Sequence, residues 1–306
     1  MNNLLRNVLH QGARDLIGVS DIVPSLYDNL DFNAFSQHID RLMNTQHKLN
    51  TELCGDGYDK TLVTSNGKLI RFGNALISES NELLDSTSWK HWKKIDAVCD
   101  TENIATELID YLHFLPSIIA IMLRYLRPDT VLEHSVNFSE DYQIIKIIAW
   151  NTLNTENYSH DDDTTKITIS LLSLNSILGG LCNLSAIFNK DIVSVTTVMD
   201  DMFLDRIKHL VGMSLGLTFK NYFIIYQEPI EDMMSKYIVK NILNSFRADN
   251  GYKEGTYIKI WKGTDVEDNV VAKTILKLNP MFSNSELYTA LEVEYQLVLQ
   301  GIDSEK

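Results

Sequence analysis

Proline and glycine are scarce. Five prolines and fourteen glycines in 306 residues leave little turn chemistry for a protein of many short strands, and the shortage favours helices. Cysteine is scarcer still. Cys54, Cys99 and Cys182 are odd in number, widely spaced and without a CxxC. Neither a disulfide framework nor a zinc site is indicated, and free thiols in a reducing compartment are expected. Positive charge is also in deficit: 27 Lys and Arg against 41 Asp and Glu give a formal charge of −14. Such a surface repels phosphate backbones and anionic lipid, which argues against polymeric nucleic acid or a membrane as partner. A phosphate-bearing small molecule stays open, because divalent cations bridge carboxylates to phosphates. The opening residues, MNNLLRNVLHQGARDL, lack the apolar run of a secretory signal. The uncharged run 167–188 approaches a spanning length, but Asn175, Asn183 and several hydroxyl residues interrupt it, so a buried core helix is expected there. A soluble, cytoplasmic chain is the expectation.

What is present is helical patterning. A globular composition, 44% hydrophobic and 22% charged, can bury a substantial core. Over 32–53, Phe35, Ile39, Leu42 and Met43 recur at helical spacing, and Gln46 and Asn50 share a face near the end. Asn66-Gly67 between two short β-prone runs signals a hairpin near 61–72. A helix over 75–87 places Leu76, Leu83 and Leu84 inward, with Glu79 and Glu82 three residues apart on an adjoining stripe. A helix over 102–126 carries the apolar stripe Ile104, Leu108, Tyr111, Leu112 and Leu115, with Glu107 and Asp110 at its edge. ExxE alone is common surface decoration. Carboxylates bordering a buried face are less ordinary, and two such pairs can converge on hard cations such as Mg²⁺.

The rest of the chain can supply a partner for those cations. Residues 127–166 look like an insertion or long connection, with Asp161, Asp162 and Asp163 as a solvated loop. Helices are expected over 167–188 and 190–216, the second with Asp200, Asp201 and Asp205 outward. Further on, Lys236, Lys240, Asn244 and Arg247 fall at successive turns of one helix face, opposite Met234, Ile238, Ile242 and Phe246. Three cations and an amide in line suit a polyphosphate. Asp249-Asn250-Gly251 ends that helix, and a loop follows with Lys253 and Lys259 among Tyr252, Tyr257 and Trp261. Residues 262–306 read as a packing or dimer-contact helix without a site.

These segments resemble a known family. Glu79-x-x-Glu82 with Asp85-Ser86 and Trp89-Lys90-x-Trp92-Lys93, then Glu107-x-x-Asp110, are similar to the acidic motifs of the all-α dimeric dUTPases found in trypanosomatids, Campylobacter and phages. Lys240-Asn241-x-x-Asn244-x-Phe246-Arg247 and Gly251-Tyr252-Lys253-x-Gly255-x-Tyr257-x-Lys259-x-Trp261 resemble that family's C-terminal motifs. The clear similarity covers 40–113 and 236–261.

The resemblance implies a single all-α domain of the NTP pyrophosphatase type, with an N-terminal extension (1–30) and the insertion at 127–166. It implies a homodimer that hydrolyses dUTP, and dUDP, to dUMP, limiting dUTP and supplying dUMP for thymidylate synthesis. Glu79, Glu82, Glu107 and Asp110 would hold Mg²⁺. Lys240, Asn244, Arg247, Lys253 and Lys259 would bind phosphate oxygens. Gln46 and Asn50 would read the base, with Trp89 and Tyr252 against the nucleoside, and the 251–261 loop would close over substrate. Two alternatives stand beside this: a dCTP or other NTP pyrophosphatase with the same metal site, and a nucleotide-responsive protein that binds a regulator through its extra segments.

Overall fold

The computed structural model describes residues 30–61, 70–87, 101–126, 140–154, 201–226, 228–262, 266–279 and 282–300. Nearly all of these are helical. In chain order they form α1 (Phe32–Cys54), α2 (Tyr58–Thr61), α3 (Phe72–Asp85), α4 (Thr101–Leu126), α5 (Glu140–Leu153), α6 (Asp201–Tyr226) and α7 (Ile230–Asp249). A two-stranded antiparallel ribbon follows, β1 (Ile260–Lys262) with β2 (Val266–Glu267), and then α8 (Asp268–Leu278) and α9 (Asn284–Leu299). The all-α expectation holds. The hairpin signal at Asn66-Gly67 and the acidic run at 161–163 lie outside the described residues, as do the helix expected over 167–188, Trp89, Cys99 and Cys182.

The first core is built as the periodicity of α1, α3 and α4 requires. Asp31 caps α1 by accepting from the Ala34 N–H at 2.8 Å, and Phe35, Ile39, Leu42 and Met43 are buried along one stripe. Leu76 and Leu83 of α3 pack against Ile104, Leu108, Leu112 and Leu115 of α4 in the same cluster. The stretch Asn103–Leu123 of α4 is long and apolar enough to cross a membrane, yet 83% of its most apolar window is buried inside the protein. It is the central helix of this core.

The structure fills in two expectations about the organisation. The span 127–166, read as an insertion or connection, contains α5, whose Tyr142, Ile145, Ala149 and Leu153 belong to the first core. Among the described helices α5 packs most closely on α6, and two glycines allow the approach. A Cβ at Gly216 would run into the Ala149 carbonyl, and one at Gly212 would lie 2.7 Å from Ile148. Ion pairs tie α5 to its neighbours: Lys146 meets the partly exposed Asp40 of α1 at 3.0 Å, and Lys208 of α6 meets the buried Asp141 at 3.1 Å. The helix expected over 190–216 is described as Asp201–Tyr226, and Asp205 is exposed on it.

The second concerns residues 262–306, expected as a packing or dimer-contact helix, where the helix Asn284–Leu299 does pack. They hold β2, α8 and α9 and build a core of their own around the far half of α7. Val239, Leu243 and Phe246 of α7 meet Trp261, Val271, Ala272, Leu287, Leu291 and Tyr295. Phe246 sits at the centre of this cluster, with ring centroids of Trp261, Tyr288 and Tyr295 at 5.4–5.7 Å in edge-on arrangements. A capping box at Ser283 and Glu286 starts α9. α7 therefore belongs to both cores, and the candidate site lies where it passes from one to the other.

Candidate active site

The acidic pairs meet. Glu79 comes from the middle of α3, and Glu107 and Asp110 come from consecutive turns of α4. One carboxylate oxygen from each lies within 4.8 Å of the other two. Glu82, one turn past Glu79, is exposed, contacts the Ser78 hydroxyl at 3.4 Å and stands outside this tight group. Burial raises the Glu79 carboxyl to about 7, and the nearby Asp110, Glu82 and Glu107 add to the effect. Burial likewise lifts Glu107 to about 7, with Asp110 and Glu82 adding and Lys240 and a hydrogen bond from Asn103 opposing. Lys240 of α7 reaches across to Asp110, Nζ to Oδ1 at 2.8 Å. Carboxylates drawn this close, Glu107 buried and the other two partly so, form an oxygen donor set suited to a hard divalent cation.

Beside the acidic group lies a buried polar chain. Tyr237 of α7 donates to Gln46 Oε1 at 2.6 Å, and Gln46 Nε2 donates to Asn50 Oδ1 at 2.9 Å. Asn50 Nδ2 then donates to Ser117 Oγ of α4 at 2.7 Å. Gln46 and Asn50 are each only 3% exposed, so they are inward amides and not surface decoration. His113 flanks the chain, its ring tilted over Tyr237 with centroids 4.7 Å apart. Its Nδ1 is 2.9 Å from the Ile109 carbonyl, which can only accept, so Nδ1 carries the hydrogen. Nε2 is then a buried acceptor that finds no partner among the described residues. Burial pushes the His113 pKa down to about 4, which keeps the ring neutral.

The cationic residues are less tightly gathered. Asn244 is half-buried and receives a long contact of 3.4 Å from Arg247 Nη1. Arg247 is bound along one edge by Asp268, at 2.7 Å from both Nε and Nη2. Beyond Gly251, whose φ of +88 makes the turn, Lys253 is exposed and donates to the Leu53 carbonyl at the end of α1 at 2.7 Å. Tyr252 is 54% exposed, with the Arg247 guanidinium 5.9 Å from its ring centre. Lys259 pairs with Glu267 across the ribbon at 3.3 Å. Lys236, at the start of the basic face, is spent on Glu228 and the Tyr222 hydroxyl. Trp89 lies outside the described residues.

Sequence reasoning passed over Asn103, His113, Ser117, Tyr237 and Asp268, and named Asn241 only as a motif position. For α4 a signal was available, since 103, 107, 110, 113 and 117 recur every three or four residues on one face. Tyr237 and Asn241 flank Lys240 in the same way. A cavity of about 770 Å³ opens beside Asp110 and Lys240 between α4, α7 and α8, enough for a ligand of nucleotide size.

The likeness to known proteins agrees with this geometry. A family model described as dUTPase matches residues 38–252, from within α1 to the start of the turn after α7. In a search of curated proteins none matched. With 215 of 306 residues matched (38 to 252 inclusive), and with an all-helical fold converging paired carboxylates, the chain belongs to the all-α dUTPase family, whose activity is that of a dUTP diphosphatase.

Proposed function

We propose that the protein is a Mg²⁺-dependent enzyme that hydrolyses dUTP to dUMP and pyrophosphate, accepts dUDP as well, and works as a homodimer. The observation that carries the reading is the convergence of Glu79, Glu107 and Asp110 within 4.8 Å, faced by Lys240. These three, with Glu82 one turn away, would hold the metal. Bound there, Mg²⁺ would neutralise phosphate charge and ease deprotonation of a water.

The residues of the chain supply the remaining roles. Lys240, Asn244 and Arg247 lie on one side of α7 and offer hydrogen-bond donors and positive charge to the phosphates. Lys253 and Lys259 would add to that grip from the turn and ribbon after α7. Gln46 and Asn50, held in fixed orientation by Tyr237 and Ser117, present amides to the Watson–Crick edge of a pyrimidine. His113 Nε2 is an acceptor suited to an N–H donor on the base. Tyr252, exposed beside Arg247, and Trp89 would pack against the nucleoside. Once substrate is in place, closure of the 251–261 segment would exclude water.

A panel of the deoxynucleoside triphosphates and dUDP with Mg²⁺, read as pyrophosphate or phosphate release, tests the proposal. dUTP and dUDP turnover that stops with EDTA is the expected result. Turnover of dCTP alone would replace the base assignment and keep the metal site. Sedimentation at equilibrium checks the homodimer, and a monomer at working concentration would remove that part.

A further inference from the structure

Arg247 does not hang free at the end of α7. Both its Nε and its Nη2 donate to Asp268 at 2.7 Å, so one edge of the guanidinium is fully used. Asp268 is completely buried. It receives a third bond at 2.8 Å from the Tyr257 hydroxyl, and its own N–H donates to the Lys259 carbonyl at 3.0 Å. The residue opens α8, whose Val271 and Ala272 are locked in the second core. Nothing in this arrangement is loose. An arginine that swung away would leave a buried carboxylate unpaired, which is strongly unfavourable. The guanidinium is therefore held in one orientation, and its Nη1 side, which makes a long 3.4 Å contact with Asn244 Oδ1, is the outward edge, turned away from Asp268.

We propose that Asp268 is a positioning residue for the reaction: it fixes Arg247 so that the outward guanidinium edge meets the phosphate chain of the substrate. Asp268 lies beyond the matched span 38–252, so this makes α8 part of the active site. The inference rests on the reading of Arg247 as a phosphate ligand. It differs from a plain ion pair tying α7 to α8, because a positioning role acts only through Arg247.

The test compares the wild type with Arg247→Ala, Asp268→Asn and the double variant, using dUTP turnover with Mg²⁺ and thermal melting. Asp268→Asn is expected to lower kcat by about tenfold or more while the protein stays folded, and the double variant to be no slower than Arg247→Ala within about twofold. Millimolar guanidinium is expected to restore part of the Arg247→Ala turnover and none of the double variant's. Additive losses, equal rescue of both proteins, or a normal kcat in Asp268→Asn would overturn the proposal. If Asp268→Asn does not fold, Tyr257→Phe removes one bond to the carboxylate and keeps its charge. Arg247→Ala/Tyr257→Phe then needs more guanidinium than Arg247→Ala for the same rescue, and an unchanged requirement would overturn the idea. Should the wild type fail to release pyrophosphate from dUTP, the functional reading fails on its own. Binding of inorganic pyrophosphate with Mg²⁺ to the same variants still decides the role of Asp268, since independent losses of affinity would count against it.

Discussion

Glu79 and Glu107 set the pH response at the residue scale. Both carboxyls are raised from 4.5 to about 7 in the folded chain, so folding takes up protons between those limits. The sign follows from linkage: the neutral forms cost nothing below the unfolded pKa, and the burden builds as pH rises from 4.5 and is complete once it has passed about 7. Metal-free protein is thus expected to lose stability between about pH 4.5 and pH 7, by about 1–2 kcal/mol once solvent screening of the partly exposed Glu79 is discounted. Melting in EDTA across that range checks it, and a flat profile would count against the clustering. Mg²⁺ competes with those protons, so its affinity is expected to rise over the same window. Replacing either residue gives a second check. Glu107→Gln removes a donor and a like charge together, so the metal-free protein is expected to melt at or above the wild type while turnover falls on the order of 100-fold or more. Activity close to wild type would remove Glu107 from the site.

The carboxylates were legible at this scale, and Arg247 only half so. ExxE and ExxD with apolar neighbours state which face of a helix is buried, and the structure brings three of the four together within 4.8 Å. Nothing in a string of letters says that Arg247 is already engaged. Its partner Asp268 stands 21 residues on, across a turn, a ribbon and a helix start. Gln46 and Asn50 could be placed on one face, but whether that face met water or Tyr237 depended on α7, 191 residues from Gln46.

Legibility at the scale of elements follows burial geometry. α1, α3 and α4 each show one apolar stripe to the core and a polar one away from it, so their period could be read directly. α5 hides its identity because it buries polar groups too: Asp141 and Lys146 sit beside Tyr142 and Ile145, and the apolar period is blurred. The chain compensates by pairing them, Asp141 with Lys208 and Lys146 with Asp40. Glycine spacing carries the remaining information. Gly212 and Gly216 lie on the face of α6 that meets α5, and at Gly216 the obstacle to a Cβ is the backbone carbonyl of Ala149. Backbone cannot rotate aside as a side chain can. Gly216→Ala is therefore expected to destabilise the protein by about 1–3 kcal/mol, the usual cost of overpacking. This outweighs the gain of less than about 1 kcal/mol that Ala brings in a helix. Urea denaturation decides the sign, and a more stable variant would show that α5 and α6 are not so close.

For the whole molecule, the site is shared between two cores that are both threaded by α7. The acidic group belongs to the first, through α3 and α4, whereas Arg247, Asp268 and Tyr257 are held by the second. The two halves of the chemistry are thus stabilised by different sets of side chains. A substitution deep in the second core separates them. Leu291 is fully buried there, far along the chain from any carboxylate of the acidic group, and Leu291→Ala is expected to cost about 2–5 kcal/mol. Below the melting temperature of the variant, the loosened core is expected to raise the KM for dUTP several-fold through a less rigid Arg247. Mg²⁺ affinity, measured by calorimetric titration without nucleotide, is expected to stay within about twofold, because sites without shared partners act independently. If metal affinity instead falls in step with KM, the cores stabilise the site as one unit and the division at α7 is wrong.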